Sequence, residues 1–223
     1  MIMLQPQQRT KLDPSDDAQF YDIPRFVTHV DQGFIDRLEQ LYRDRIPHHG
    51  RVLDLMSSWV SHFPDDLALD WVEGHGMNAA ELARNPRLNH YFVQNLNRDP
   101  KLPLEDASFD AVAIAVSVQY LEFPEAVFTE MARVLKPGGV AIVSFSNRMF
   151  YQKAIQAWRD GSDATRLHLV QQYFRGVQIQ GMPAFGAPEA IAERPQTPPI
   201  LQLFGLGHAD PFFAAIAQRV STD

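Results

Sequence analysis

Apolar and polar positions along this chain recur with two different periods, and the changes of period mark its elements. Val30, Phe34, Leu38, Leu41 and Tyr42 fall at helical spacing with polar residues between them, until Pro47 and Gly50 end the pattern. Short apolar runs follow. Arg51–Met56 and Leu67–His75 read as buried strands, joined through Phe63 and Pro64 by a connection too short for a long helix. Met77–Asn85 has helical composition and stops at Pro86, and Tyr91–Asn95 reads as a third strand. Phe109–Asn147 then spells a complete unit: a strand at Ala111–Val116, a helix at Glu125–Leu135, and a strand at Val140–Phe145. Val127, Phe128, Met131, Val134 and Leu135 form the apolar face of that helix, which Pro137-Gly138-Gly139 cannot continue. Strand, crossover helix and strand make a βαβ unit, so a doubly wound α/β architecture is predicted.

The two ends are less periodic. Residues 1–27 are expected to be an N-terminal arm, its first part polar and loose around Pro6 and Pro14, and residues 28–223 a single domain. Beyond Asn147 the pattern predicts a helix over Met149–Arg159 and a second one, capped by Asp163, that carries Leu167, Val170, Tyr173 and Phe174. Gln180–Pro199 reads as an irregular connection, and Leu201–Phe204 with Phe212–Gln218 as a terminal antiparallel pair.

Composition narrows the function classes. With 223 residues and 45% hydrophobic content the chain can bury one full core. Twenty basic against 27 acidic residues give a net charge of -7, which argues against nucleic acid as a partner. The absence of cysteine excludes disulfides, thiolate zinc sites and a thiol nucleophile. No apolar run is long enough to span a bilayer, so a cytoplasmic protein without membrane contact is expected.

The pairing of Phe109-Asp-Ala-Val with Arg133-Val-Leu-Lys-Pro-Gly-Gly resembles the second half of class I S-adenosylmethionine-dependent methyltransferases. Over Arg51–Asn147 the resemblance implies a Rossmann-like, seven-stranded, mostly parallel sheet with an antiparallel last strand. It also implies S-adenosylmethionine as cofactor and methyl transfer to a small-molecule or protein acceptor. In the family the first strand ends Asp-Leu-Gly-x-Gly; here the same place reads Asp54-Leu55-Met56-Ser57-Ser58, with the acid kept and both glycines gone. The resemblance assigns Asp54 to the cofactor's amino-acid end, with Ser57 and Ser58 as candidate hydroxyl donors. Met56 beside Trp59 and Val60 reads as a turn repacked at ordinary negative φ. At the end of the second strand Gly76-Met77-Asn78 replaces the family's acid. Asn78, in preference to Asp70, is the candidate for the ribose diol, and Met77 for the adenine face. Asn95 and Leu96 fall where the adenine amino group is met, and Ser117 near the amino-acid end. Loss of the glycines and acids leaves a second function open, that of an inactive methyltransferase-like binding domain.

Substrate-facing candidates are Tyr21, Arg25, His29, His62, Gln119, Tyr120 and Asn147. His29 or His62 could serve as a base, although a strong nucleophile needs none. His48 and His49 are adjacent and cannot converge on one ion, so no metal is expected. Trp59 and Trp158 read as core, and Gly74 and Gly76 as points of close backbone approach.

Overall fold

The computed structural model describes residues 4–194 and 209–221. Its elements are strands β1 (Gly50–Asp54), β2 (Leu69–Gly76), β3 (His90–Val93), β4 (Phe109–Ala115), β5 (Leu135–Phe145), β6 (Gln178–Ile179), β7 (Met182–Pro183), β8 (Glu189–Glu193) and β9 (Phe212–Gln218). The helices are α1 (Asp17–Phe20), α2 (Gln32–Arg45), α3 (Ala79–Leu82), α4 (Pro124–Val134), α5 (Gln156–Arg159) and α6 (Asp163–Gly176). Seven strands form one sheet in the order β3-β2-β1-β4-β5-β9-β8. β1 to β5 pair in parallel, and β9 runs antiparallel to both β5 and β8. The doubly wound sheet and its antiparallel last strand are thus as expected.

Both faces of the central strands are covered, which is why they read as continuous apolar runs. Val52, Ala111, Ala113 and Ile142 pack under α2 with Phe34, Leu38 and Tyr42. Leu53, Val112, Ile114 and Val143 face the other way, toward Phe128 and Met131 of α4 and Tyr173 and Phe174 of α6. Between β1 and β2 the chain forms no helix, so this crossover offers no helix N-terminus to a ligand.

Several expected boundaries move. Pro137-Gly138-Gly139 does not separate helix from strand: pairing begins at Phe109 with Leu135 and resumes at Ala111 with Val140, the intervening residues bulging out of β5. Gly138 takes φ 78° in that bulge, a conformation glycine adopts freely. Ser162, not Asp163, caps α6, because its hydroxyl accepts the amide hydrogen of Thr165. Met149–Arg159 is helical only at α5. The stretch read as an irregular connection holds β8, which pairs with β9; Leu201–Phe204 lies outside the described residues. Short polar strands at an edge carry too little apolar period to be seen in sequence.

The N-terminal arm is packed down. Leu4 is buried in the larger core, Arg9 pairs with Glu125 at 2.5 Å, and Lys11 lies 2.6 Å from Asp17. Lys153, with no exposed side-chain surface, donates to the Ser15 carbonyl at 2.8 Å and lies 3.1 Å from Asp13 and 3.5 Å from Asp17. A polar segment without period can still be fixed when its charges meet buried partners elsewhere.

Candidate functional site

A cavity of about 670 Å³ opens at the carboxyl ends of the parallel strands, walled by the turns after β1, β2, β3, β4 and β5 and by arm residues between Asp17 and Val30. This is where an open α/β sheet binds ligands, because the strand order reverses between β1 and β4. Asp54, Met56, Ser57, Ser58, Gly76, Met77, Asn78, Asn95, Leu96 and Ser117 all line it, as do Tyr21, Arg25, His29, His62, Tyr120 and Asn147. Leu55 does not: it is buried in the sheet core. Gln119 is also turned away, its amide donating to the Val116 carbonyl at 2.9 Å. The adjacent side chains of a strand point to opposite faces, which sends Leu55 inward when Asp54 reaches the end of the sheet.

The turn after β1 departs from its expected conformation. Met56 has φ 62°, in the left-handed region, so losing the glycine did not relax the backbone. Val116, after β4, has φ 52°, which is rare for a β-branched residue, and His62 has φ 57°. All three line the cavity, and strained backbone of this kind persists where the surrounding structure over-determines it.

A hydrogen-bond knot does that. Ser57 N–H donates to the His75 carbonyl at 2.6 Å and Met56 N–H to His75 Nδ1 at 3.1 Å. The approach is so close that a Cβ at Gly76 would lie 2.5 Å from the Ser57 carbonyl oxygen. Ser57 Oγ donates to Asp54 Oδ2 at 2.5 Å, Ser58 Oγ to Glu81 Oε2 at 2.5 Å, and Asn85 Nδ2 to Ser61 Oγ at 2.8 Å. The serine hydroxyls therefore point into the protein. Asn78 is likewise committed: its Oδ1 accepts from Ala80 and Glu81 N–H at the start of α3, and its Nδ2 donates to the carbonyls of Tyr21 and Asp22. That fills its side-chain hydrogen-bonding capacity, leaving nothing for a diol. Asn95 Oδ1 accepts from Asn97 N–H.

Burial sets the electrostatics. Asp54 is 2% exposed, and desolvation pushes its carboxyl up to about 7 against the lowering effect of the Ser57 and Ser61 hydroxyls. Desolvation pushes His62 and His75 down to about 4 and lowers His29, while it raises the Tyr21 and Tyr120 phenols. Ser117 Oγ and Arg25 Nη1 are buried with no hydrogen-bond partner among the described residues.

Sequence reasoning missed His75, Glu81 and Phe150. A histidine between two glycines at the end of an apolar strand was a usable signal for the first, since a buried polar group must find partners. Glu81 and Phe150 had none. Trp59, read as core, lines the cavity and donates to the Val27 carbonyl at 3.1 Å, whereas Trp158 is fully buried as expected. Asp70 is on the surface, 2.9 Å from His49.

Residues 56–143 match the model of a family described as a methyltransferase domain. The fold is that of the class I S-adenosylmethionine-dependent methyltransferases. An S-adenosylmethionine-dependent methyltransferase of Mesorhizobium loti is 19% identical, with a TM-score of 0.50 over 81% of this chain and 96% of its own. Geranyl diphosphate C-methyltransferase of Streptomyces coelicolor is 14% identical, with a TM-score of 0.54 over 83% of this chain and 78% of its own. The [4+2]-cyclase SpnF is 16% identical, with a TM-score of 0.54 over 83% of this chain and 81% of its own. No curated protein sequence matches the chain. Among the described residues no helix is long and apolar enough to cross a membrane.

Proposed function

We propose that this chain binds S-adenosylmethionine and transfers its methyl group to a small-molecule or protein acceptor held in the same cavity. The observation that carries this reading is Asp54, a carboxyl buried at the end of β1 that accepts from the Ser57 hydroxyl, with the Ser61 hydroxyl also favouring its charged form, and that has no cationic partner among the described residues. The cofactor's α-ammonium is the counterion such a group lacks, and the unpartnered Ser117 hydroxyl at the end of β4 suits the same amino-acid end. Met77 and the buried Leu96 supply apolar surface for an adenine.

Bound there, S-adenosylmethionine supplies an electrophilic methyl group on a sulfonium. The protein's part is to hold the two reactants in near-attack geometry and keep water out. The arm serves this end. Trp59 and Asn78 bind its carbonyls, and Glu81 accepts the Arg25 backbone N–H at 2.6 Å, tying the cofactor turn, α3 and the arm together.

A binding domain without methyl transfer is the second reading. It is favoured by the internal use of Ser57, Ser58 and Asn78, which leaves the cofactor's amino-acid end without the two serine donors and the ribose diol without the Asn78 acceptor expected for them. The same fold carries a cyclase, SpnF, so architecture does not choose between them.

Titration calorimetry with S-adenosylhomocysteine near neutral pH, in two buffers of different ionisation enthalpy, tests the first reading. Binding should release protons as Asp54 ionises beside the ammonium, and Asp54→Asn should bind roughly 10- to 100-fold more weakly with no such release. No heat and no thermal shift at millimolar ligand would sink it.

A further inference from the structure

Part of the cavity wall, supplied by the arm and by the segments after β4 and β5, is made of aromatic rings. Phe150 is its fixed point. Its backbone N–H donates to the Tyr120 hydroxyl at 2.8 Å, and its ring stacks on Tyr120 with centroids 6.0 Å apart and planes 27° apart. Phe20 and His29 meet the Phe150 ring edge-on, each at 5.2 Å, and Tyr21 meets Phe20 at 5.0 Å.

Most of the hydrogen-bonding capacity of the charged groups in this wall is already used, although Arg25 Nη1 is buried with no partner among the described residues. The Arg25 guanidinium lies 4.5 Å from the Phe20 ring centroid and donates to the Phe20 carbonyl at 2.9 Å. Asp17 takes Lys11, Arg148 lies 2.5 Å from Asp210, and Glu81 accepts from Ser58 and from Arg25 N–H. Beside that one guanidinium donor the wall offers ring surface around Phe150, on which Tyr120 stacks and over which the Arg25 guanidinium lies 5.5 Å from the centroid, and a planar ring system matches such a wall by offset or edge contact.

One group here is a base that stays uncharged at neutral pH. Burial raises the Tyr21 and Tyr120 phenols, so neither ionises in that range. Burial lowers the His29 imidazole, with Glu81 raising and Arg25 lowering it to a smaller extent and no protein hydrogen bond contributing. At neutral pH His29 is therefore an uncharged imidazole with a free acceptor nitrogen on the cavity.

We propose, resting on the methyl-transfer reading above, that the acceptor is a planar aromatic hydroxyl compound bound against Phe150, and that His29 takes the hydroxyl proton. The acceptor oxygen forms its bond to the methyl carbon with its own electron pair while the proton passes to the His29 nitrogen. The pair of the broken carbon–sulfur bond stays on sulfur, which becomes a neutral thioether. The positive charge moves to the imidazolium, which then releases its proton to water.

The test uses the full chain, S-adenosylhomocysteine, 2-naphthol and decahydro-2-naphthol, an alcohol of the same carbon skeleton that is not flat. Failure of S-adenosylhomocysteine to bind removes the underlying reading. If it binds, 2-naphthol should bind the complex at least about tenfold tighter than decahydro-2-naphthol, and Phe150→Ala should abolish the preference. Equal affinities overturn the aromatic acceptor. The 2-naphthol affinity should also fall as pH is lowered from about 7.5 through the acid range, because a protonated imidazole no longer accepts the hydroxyl hydrogen. His29→Phe should lose this dependence and His62→Asn keep it; a pH-independent affinity, or a dependence lost only with His62, overturns the role of His29.

Discussion

The imidazole of His75 accepts the amide hydrogen of Met56 at 3.1 Å through Nδ1, while its Nε2 faces the Gln94 carbonyl at 3.0 Å. Since a carbonyl can only accept, the ring must be the neutral tautomer with its proton on Nε2. One side chain thus ties the turn after β1 to the end of β3 and holds Met56 left-handed. Desolvation lowers its pKa from 6.5 to about 4. Between those values the unfolded chain binds a proton that the folded chain does not. The stability is complete above about pH 6.5, declines as pH falls and is lost by about pH 4, by about 3 kcal/mol in all. Urea unfolding across this range should show the loss in the parent and a smaller one in His75→Gln; identical slopes would remove His75 from the account.

Asp54 has the opposite sign. Its folded value of about 7 lies above the ordinary 3.8, so its contribution is complete below about pH 4 and lost as pH rises through 7. Asp54→Asn keeps an acceptor for Ser57 and cannot ionise. Without ligand it should gain stability over the parent by a few kcal/mol more at about pH 8 than at about pH 4, measured by thermal unfolding. The same variant should bind cofactor less well, which would make the turn a site where stability is given up for binding.

The left-handed Met56 overturns the expectation of a turn repacked at ordinary negative φ, and with it the sign of a glycine substitution there. Met56→Ala and Met56→Gly both remove the side chain, but only glycine relieves a φ of 62°. The glycine variant should be the more stable of the two by about 1 kcal/mol in chemical denaturation. An alanine variant as stable as the glycine one would mean the turn relaxes freely.

Gly76 and Gly74 offer a contrast within one strand. A Cβ at Gly76 would meet the Ser57 carbonyl oxygen at 2.5 Å, whereas at Gly74 it would meet Leu88 Cδ1 at 2.4 Å. A leucine tip can swing aside and a backbone carbonyl in the knot cannot. Gly76→Ala should therefore cost about 1–3 kcal/mol and weaken cofactor binding, with Gly74→Ala clearly milder. Equal losses of stability would show that the turn can retreat from β2.

Lys153 anchors the arm from inside the protein, with Asp13, Ser15 and Asp17 as partners. Lys153→Ala should destabilise by about 3–5 kcal/mol, because the carboxylates it answers stay behind. Limited proteolysis should then cut the arm between Asp13 and Val30 well before the rest of the domain. An arm as resistant as in the parent would show that its other contacts suffice.

The α/β architecture and the helix before β1 were legible because burial on both faces imposes continuous apolar runs, and helix faces impose a longer period, on neighbouring residues, while the mostly parallel sheet with an antiparallel last strand was implied by the family resemblance. Asp54 and the residues clustered around it sit at strand ends, whose places the same pattern marks, but their assignment to a ligand came from the resemblance to the methyltransferase family. What tertiary structure alone decided was the use of each polar group. Ser57, Ser58 and Asn78 stand where ligand contacts were expected, yet their partners are Asp54, Glu81 and the carbonyls of Tyr21 and Asp22. Those partners come from other elements, and hydrogen bonds across such distances in sequence leave no local period. The same holds for the arm, whose charges find Glu125 and Lys153 more than a hundred residues away, and for the backbone at Met56, held left-handed by a histidine on another strand.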